Sequence, residues 1–220
     1  MKYRSAFDII GPVMIGPSSS HTAGAARIGR VARTLFGQLP KKAIISLYGS
    51  FAKTYKGHGT DFAIVAGLLD FDTFDGRMPQ SLEIAKQMGL EVIFCIEEAV
   101  MDHPNTVKIN LYNDDNELEL VGISIGGGTI EITELNSFPL KLSGEHPAIL
   151  VVHQDRFGII SAVTSVLSKN QINIGHMEVS RLEKGEMALM VIEVDQKIDE
   201  LVIEELHQLS SVSQIIRMVE

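Results

Sequence analysis

From Pro147 onward the chain alternates cleanly between two hydrophobic periods. "PAILVV" (147–152) is a continuous apolar run ending at His153, which reads as a buried strand. "DRFGIISAVTSVLSKNQ" then places Ile159, Ile160, Val163, Val166 and Leu167 at helical spacing, and Lys169-Asn170-Gln171 stops the pattern. "INIGHMEVSRL" and "MALMVIEV" read as two strands joined by the turn "EKGE". "IDELVIEELHQL" predicts a second helix and "VSQIIRMV" a last strand. The order β-α-β-β-α-β predicts a ferredoxin-like domain over 147–220, with the sheet on one side and two helices on the other.

The stretch before it is mixed. A helix is predicted from Thr22 or Ala23 to Phe36, with Ile28, Val31, Ala32 and Leu35 on one face and Gly37 with Pro40 closing it. "KAIISLYGS" reads as a strand, "GHGTDFAIVAGLLD" as a turn feeding a second helix, and "SLEIAKQMG" as a third. "EVIFCI", "NTVKINLYN", "ELELVGISI" and "TIEITEL" predict four further strands, with a hairpin turn at Asn113–Asn116. The expected organisation is α+β: a mixed α/β substrate-binding-type domain at 1–142, a linker at 143–146 and the ferredoxin-like domain at 147–220.

Composition narrows the function. The chain of 220 residues carries a net charge of −9 and no Lys/Arg cluster, which argues against nucleic acid as a partner. Arg27, Arg30 and Arg33 recur every third residue, as a solvated or interface face or as a functional patch. No apolar run approaches the length of about 18 residues expected of a membrane span. "MKYRSAFDIIGP" has too short an apolar stretch for a signal peptide, so the cytoplasm is the expected location. The single cysteine, Cys95, lies within "VIFCI" and is expected to be a buried core residue. One thiol excludes an intrachain disulfide and a self-sufficient thiolate-held iron–sulfur site.

Polar chemistry concentrates at a few junctions. In "GPSSSHTAG", Ser18, Ser19, Ser20, His21 and Thr22 stand where a helix begins, and a helix needs only one N-cap. First-turn N–H groups favour an anion, hydroxyls add donors, and an imidazole moves protons near neutral pH. In "YKGHGTD", Gly57 and Gly59 bracket His58, with Thr60 or Asp61 as the next cap. Each junction has an ordinary capping explanation, yet two such helix mouths could face one small anionic substrate. Gly126-Gly127-Gly128 interrupts a strand without forming a nucleotide-binding fingerprint, which points to a bulge or a close backbone approach. In the second domain His153, Asp155, Arg156, Gly158 and Asn173 are expected at one end of the sheet, as an architectural turn or an amino-acid site. His103 and His207 have no context that suggests a role.

With those segments in order, "FDIIGPVMIGPSSSHTAG", "YGSFAKTYKGHGTD" and "ISIGGGTIEI" resemble the signatures of the beta chain of the iron–sulfur-dependent, two-subunit bacterial L-serine dehydratases. The tail from Pro147 resembles an ACT domain, a regulatory module that often binds amino acids. The resemblance implies elimination of water from L-serine to 2-aminoacrylate, which hydrolyses to pyruvate and ammonia. It also implies a [4Fe–4S] cluster with one open iron. Such a cluster needs three thiolates, and this chain has one, so its ligands are expected on a partner alpha chain.

Under that resemblance Ser18, Ser19, Ser20 and Thr22 would anchor the substrate carboxylate, and His21 and His58 would transfer protons. Thr60 and Asp61 would orient His58 or meet the ammonium, and the base could also lie on the alpha chain. The ACT-like part implies dimerisation. It is also similar to the serine-binding ACT segments of some D-3-phosphoglycerate dehydrogenases, where His153, Asp155 and Asn173 match ligand-contacting positions. Asp155 stands where asparagine is usual and Phe157 where proline is usual. The alternative is a non-catalytic amino-acid sensor built from two ligand-binding modules.

Overall fold

Strand β1 (Lys42–Leu47) alternates its side chains so that Ala43, Ile45 and Leu47 are wholly buried on one face. The computed structural model describes residues 12–218 and divides into two units, Met1–Asn136 and Ser137–Glu220. In the first unit β1 pairs in parallel with β2 (Glu91–Ile96) and antiparallel with β3 (Thr106–Tyr112). Strands β4 (Glu117–Gly126) and β5 (Thr129–Leu135) extend the sheet by antiparallel pairing, in the order β2-β1-β3-β4-β5.

Helix α1 opens as a π-helical turn, Ser19–Gly24, and continues as the α-helix Ala25–Phe36. The parallel crossover from β1 to β2 holds three helices: α2 (Gly49–Thr54), α3 (Thr60–Leu68) and α4 (Ser81–Gln87), the last preceded by a 3-10 turn at Met78–Gln80. Helices α1 and α3 cross at their glycines. A Cβ on Gly67 would lie 2.0 Å from the Ala26 carbonyl oxygen, and one on Gly29 would lie 2.2 Å from that of Ile64. Ile28 of α1 reaches the sheet, where a Cβ on Gly122 would come within 2.8 Å of it. The helices therefore lie on one sheet face, above a core that includes Phe51, Ile64, Ile109, Leu120 and Ile132.

The expected strand "KAIISLYGS" ends at Leu47, and its last residues open α2. The glycine-bracketed turn around His58 therefore follows a helix. Helix α1 begins at Ser19, ahead of the expected Thr22 or Ala23, because the wider π turn takes in the serines. Cys95 is half-buried, since β2 is the sheet's edge strand and is covered less than its neighbours. Gly127 and Gly128, with φ of 63° and 85°, form the two-residue turn between β4 and β5, a geometry open to glycine and barred to most side chains. The Arg27/Arg30/Arg33 stripe is split in its duties. Arg27 donates to the Gly128 carbonyl at 2.9 Å, while Arg30 pairs with Asp70 and Asp72 at 2.9 and 3.4 Å.

The second unit begins at Ser137, whereas the sequence pattern places the first domain's end at 142. The reason is strand β6 (Phe138–Leu142), absent from the sequence expectations. The Lys141 N–H donates to the Glu178 carboxylate at 2.9 Å, and Ser143 donates to Glu193 from its N–H at 3.0 Å and its hydroxyl at 2.8 Å. The remaining elements follow the expected β-α-β-β-α-β order: β7 (Ala148–Gln154), α5 (Ile159–Lys169), β8 (Ile174–Arg181), β9 (Met187–Val194), α6 (Glu200–His207) and β10 (Val212–Met218). The sheet order is β10-β7-β9-β8, antiparallel throughout, and Val151, Val163, Leu167, Ile192 and Leu206 fill the core under the helices.

Candidate active site

The Ser18 backbone is extended, and its carbonyl accepts the Thr22 N–H at 2.8 Å and the Ala23 N–H at 3.4 Å. Two successive donors on one carbonyl mark the widened turn, a form that recurs at functional sites. The Ser18 hydroxyl caps the turn by accepting the His21 N–H at 3.1 Å. The first-turn N–H groups of Ser19 and Ser20 have no acceptor within the helix. Both serines are half-buried there.

The turn also brings two distant stretches together. Thr22 is wholly buried and its hydroxyl donates to the His58 carbonyl at 2.8 Å, so it ties the stretches and does not present its hydroxyl to a ligand. The His58 N–H donates to the Thr54 carbonyl at 3.0 Å, and Gly59, at φ 68°, turns the chain into α3. The positive φ at Gly59 favours glycine, and a Cβ there, 2.2 Å from the Phe62 ring, would have to displace that ring. The outcome is an edge-to-face pair: the His21 and His58 rings stand 4.8 Å apart at 73°, and Phe51 contacts His21 at 5.3 Å and 70°.

The electrostatics favour the neutral form of His21. Burial, and then the neighbouring His58, hold His21 below the usual imidazole range. The His21 Nε2 lies 2.9 Å from the Ser50 hydroxyl and its Nδ1 lies 3.3 Å from that of Ser18. His58 Nδ1 and Thr60 Oγ1 are buried with no partner among the described residues. Asp61 is half-buried; burial pushes its carboxyl up, against the Phe62 N–H that donates to it at 2.8 Å. The structure thus brings Ser18, His21, Thr22 and His58 together, while Ser19 and Ser20 share the turn with His21, and Thr60 and Asp61 follow His58 at the start of α3. It adds Ser50 and Phe51, whose only trace in the sequence is their place in "YGSFAKTYKGHGTD".

The glycine run belongs to the same neighbourhood, since a Cβ on Gly128 would lie 3.7 Å from that of Ala23 in the π turn. No group of three His, Cys, Asp or Glu side chains able to hold a metal ion occurs among the described residues.

The second unit's candidates do not converge. His153 is buried, with Nδ1 3.0 Å from the Gln154 carbonyl oxygen. The Asp155 carboxylate accepts from Arg181 at 2.8 Å and from the Gly185 N–H at 3.0 Å, and both hold it below its usual range. Asn173 donates to Asp195 at 2.5 Å. The length of β9 separates Glu186, which binds the Asp155 N–H, from Asp195, so Asp155 and Asn173 lie at opposite ends of the sheet. That corrects the expectation that they are neighbours. Antiparallel pairing puts the start of β8 beside the end of β9.

Comparison with known proteins gives two family matches: "Serine dehydratase beta chain" over residues 5–87 and "ACT domain" over residues 148–211. The chain is 63% identical to the probable L-serine dehydratase beta chain of Bacillus subtilis (strain 168) over 220 residues, covering all of both chains. It is 39% identical to the L-serine dehydratase beta chain of Peptoniphilus asaccharolyticus over 198 residues, 89% of each. An L-serine dehydratase of Haemophilus influenzae is 32% identical over 152 residues, 57% of this chain and 33% of that one.

Proposed function

The chain belongs to the serine dehydratase beta-chain family, and on that premise we propose that it is the substrate-gripping subunit of a cytoplasmic L-serine ammonia-lyase that works with an iron–sulfur alpha chain. The observation that carries the reading is the imidazole pair at the helix mouth, 4.8 Å apart, with the Ser18 and Ser50 hydroxyls on the His21 ring. The residues of this chain do not fit a [4Fe–4S] cluster: its one thiol is on an edge strand. In this reading the cluster sits on thiols of the alpha chain. The Haemophilus enzyme named simply L-serine dehydratase, similar to this chain over a third of its length, supports a division between two parts.

In the reaction the α-proton leaves serine, hydroxide departs from the β-carbon, and the resulting 2-aminoacrylate hydrolyses to pyruvate and ammonia. Ser19, Ser20 and the first-turn amides hold the carboxylate, for which the helix N-terminus is a favourable environment. His21, neutral by virtue of burial, and His58 are the groups that accept and hold the proton. Thr22 and Thr60, wholly buried, position the His58 segment, and Asp61 faces the ammonium.

The test is pyruvate formation from serine by the anaerobically reconstituted complex with its alpha chain. His21→Ala and His58→Ala are each expected to lower kcat by ~100-fold or more, the scale of lost acid–base assistance. Full activity in both variants would leave the chain an amino-acid-binding regulator.

We further propose that the ACT unit dimerises along β8, which pairs on one side only in its sheet. Antiparallel pairing of two copies of β8 sets Asn173 of one protomer near the Asp155–Arg181 end of the other. Effector-binding residues separated within one chain would then meet across the dimer.

A further inference from the structure

Resting on the reading of this pocket wall as a serine-handling site, we propose that Ser50 is a positioning residue that fixes the tautomer and tilt of His21. The ring is wedged edge-on between Phe51 and His58, contacts that leave both its nitrogens to find partners elsewhere. Ser18 supplies one. Its hydroxyl oxygen already accepts the His21 backbone N–H at 3.1 Å, so its own proton is free to point at Nδ1, 3.3 Å away. Nδ1 is then the accepting nitrogen. A neutral imidazole has a single N–H, which must lie on Nε2, and there the Ser50 oxygen accepts it at 2.9 Å.

The acceptor itself is held in place. The Ser50 N–H donates to the Pro104 carbonyl at 2.7 Å, and the Ser50 carbonyl accepts the Thr54 hydroxyl at 2.9 Å. With its backbone fixed on both sides, the Ser50 hydroxyl has little freedom to follow the ring, and the ring must come to it. Hydrogen bonds run in one direction, from Ser18 to His21 to Ser50, and end in a hydroxyl proton not engaged by His21. Removal of Ser50 leaves Nε2–H without its acceptor, so that only the longer 3.3 Å contact with Ser18 still favours that tautomer.

The experiment uses the full chain labelled with 15N-histidine, in which two-bond proton–nitrogen correlations report the protonated ring nitrogen, together with kcat and KM of the reconstituted complex. Wild type is expected to show His21 protonated on Nε2. Ser50→Ala is expected to show a mixture of tautomers and a kcat ~10- to 100-fold lower, with KM within about threefold, as for a catalytic group slightly misplaced. Ser50→Thr, which keeps the hydroxyl, is expected to recover both. Protonation on Nδ1 in wild type overturns the proposal, as does a Ser50→Ala chain with unchanged ring signals. With His21→Ala inactive, a tautomer change without loss of kcat, or the reverse, also overturns it. With His21→Ala fully active, it is the serine-handling reading that falls, and the ring signals alone decide whether Ser50 holds His21.

Discussion

Asp61 shows how one side chain at the site weighs against the fold. Burial raises its carboxyl pKa above the unfolded value of 3.8. A group raised in the folded state contributes stability that is present below its unfolded pKa and lost as pH rises through the folded one. At neutral pH the ionised Asp61 is therefore unfavourable, and the Phe62 N–H, its own N–H and the Lys56 charge offset the loss of water only in part. Asp61→Asn keeps an oxygen for that N–H without the charge. Denaturant melts at pH 7 are expected to show the variant more stable than wild type, with the difference shrinking to nothing near pH 4, while turnover by the reconstituted complex falls. A variant less stable at pH 7 would mean that the charge is compensated locally.

Among the elements, the crossing of α1 and α3 is what fixes the distance between the two helix mouths. The approach at Gly29 and Gly67 is backbone to backbone, with a hypothetical Gly67 Cβ 2.0 Å from the Ala26 oxygen. Gly67→Ala must push the helices apart. It is expected to cost about 3 kcal/mol, seen as a drop of roughly 10 °C in the first unit's Tm, and to lower activity as well. A thermally unchanged variant would show that the crossing yields without strain. The regular elements around this crossing were legible because their periodicity is strong, as in β3, where Val107, Ile109 and Leu111 are buried in alternation. Helix α2 was not, since its six residues bury only Phe51 and carry no repeating stripe. The short β6 contains Pro139, which argues against a strand by local rules. The histidines, serines and Asp61 could be picked out by residue type at helix starts. Ser50 could not, because its partner is 29 residues away, and neither could the π turn, whose Thr22 meets His58, 36 residues away.

For the molecule as a whole, the division at Asn136/Ser137 separates two cores, and the second is closed by its own sheet and helices. Residues 137–220 are expected to fold alone, with a single cooperative thermal transition, and to sediment as a dimer. Val179, 40% exposed on the edge strand β8, is the position at which charge would prevent pairing. Val179→Asp is expected to give a folded monomer. A fragment monomeric without that change would remove β8 as the dimer contact. No helix among the described residues is long and apolar enough to cross a membrane.

The bond from Thr22 to the His58 carbonyl has a consequence for anyone redesigning this protein. It couples the main chain of the 55–61 turn to a side chain of the π turn that opens α1, so neither segment can be transplanted by itself. A host given only the 55–61 loop of this chain would receive the histidine without Thr22, the anchor that aims it. The pair has to be moved, or diversified, as one piece.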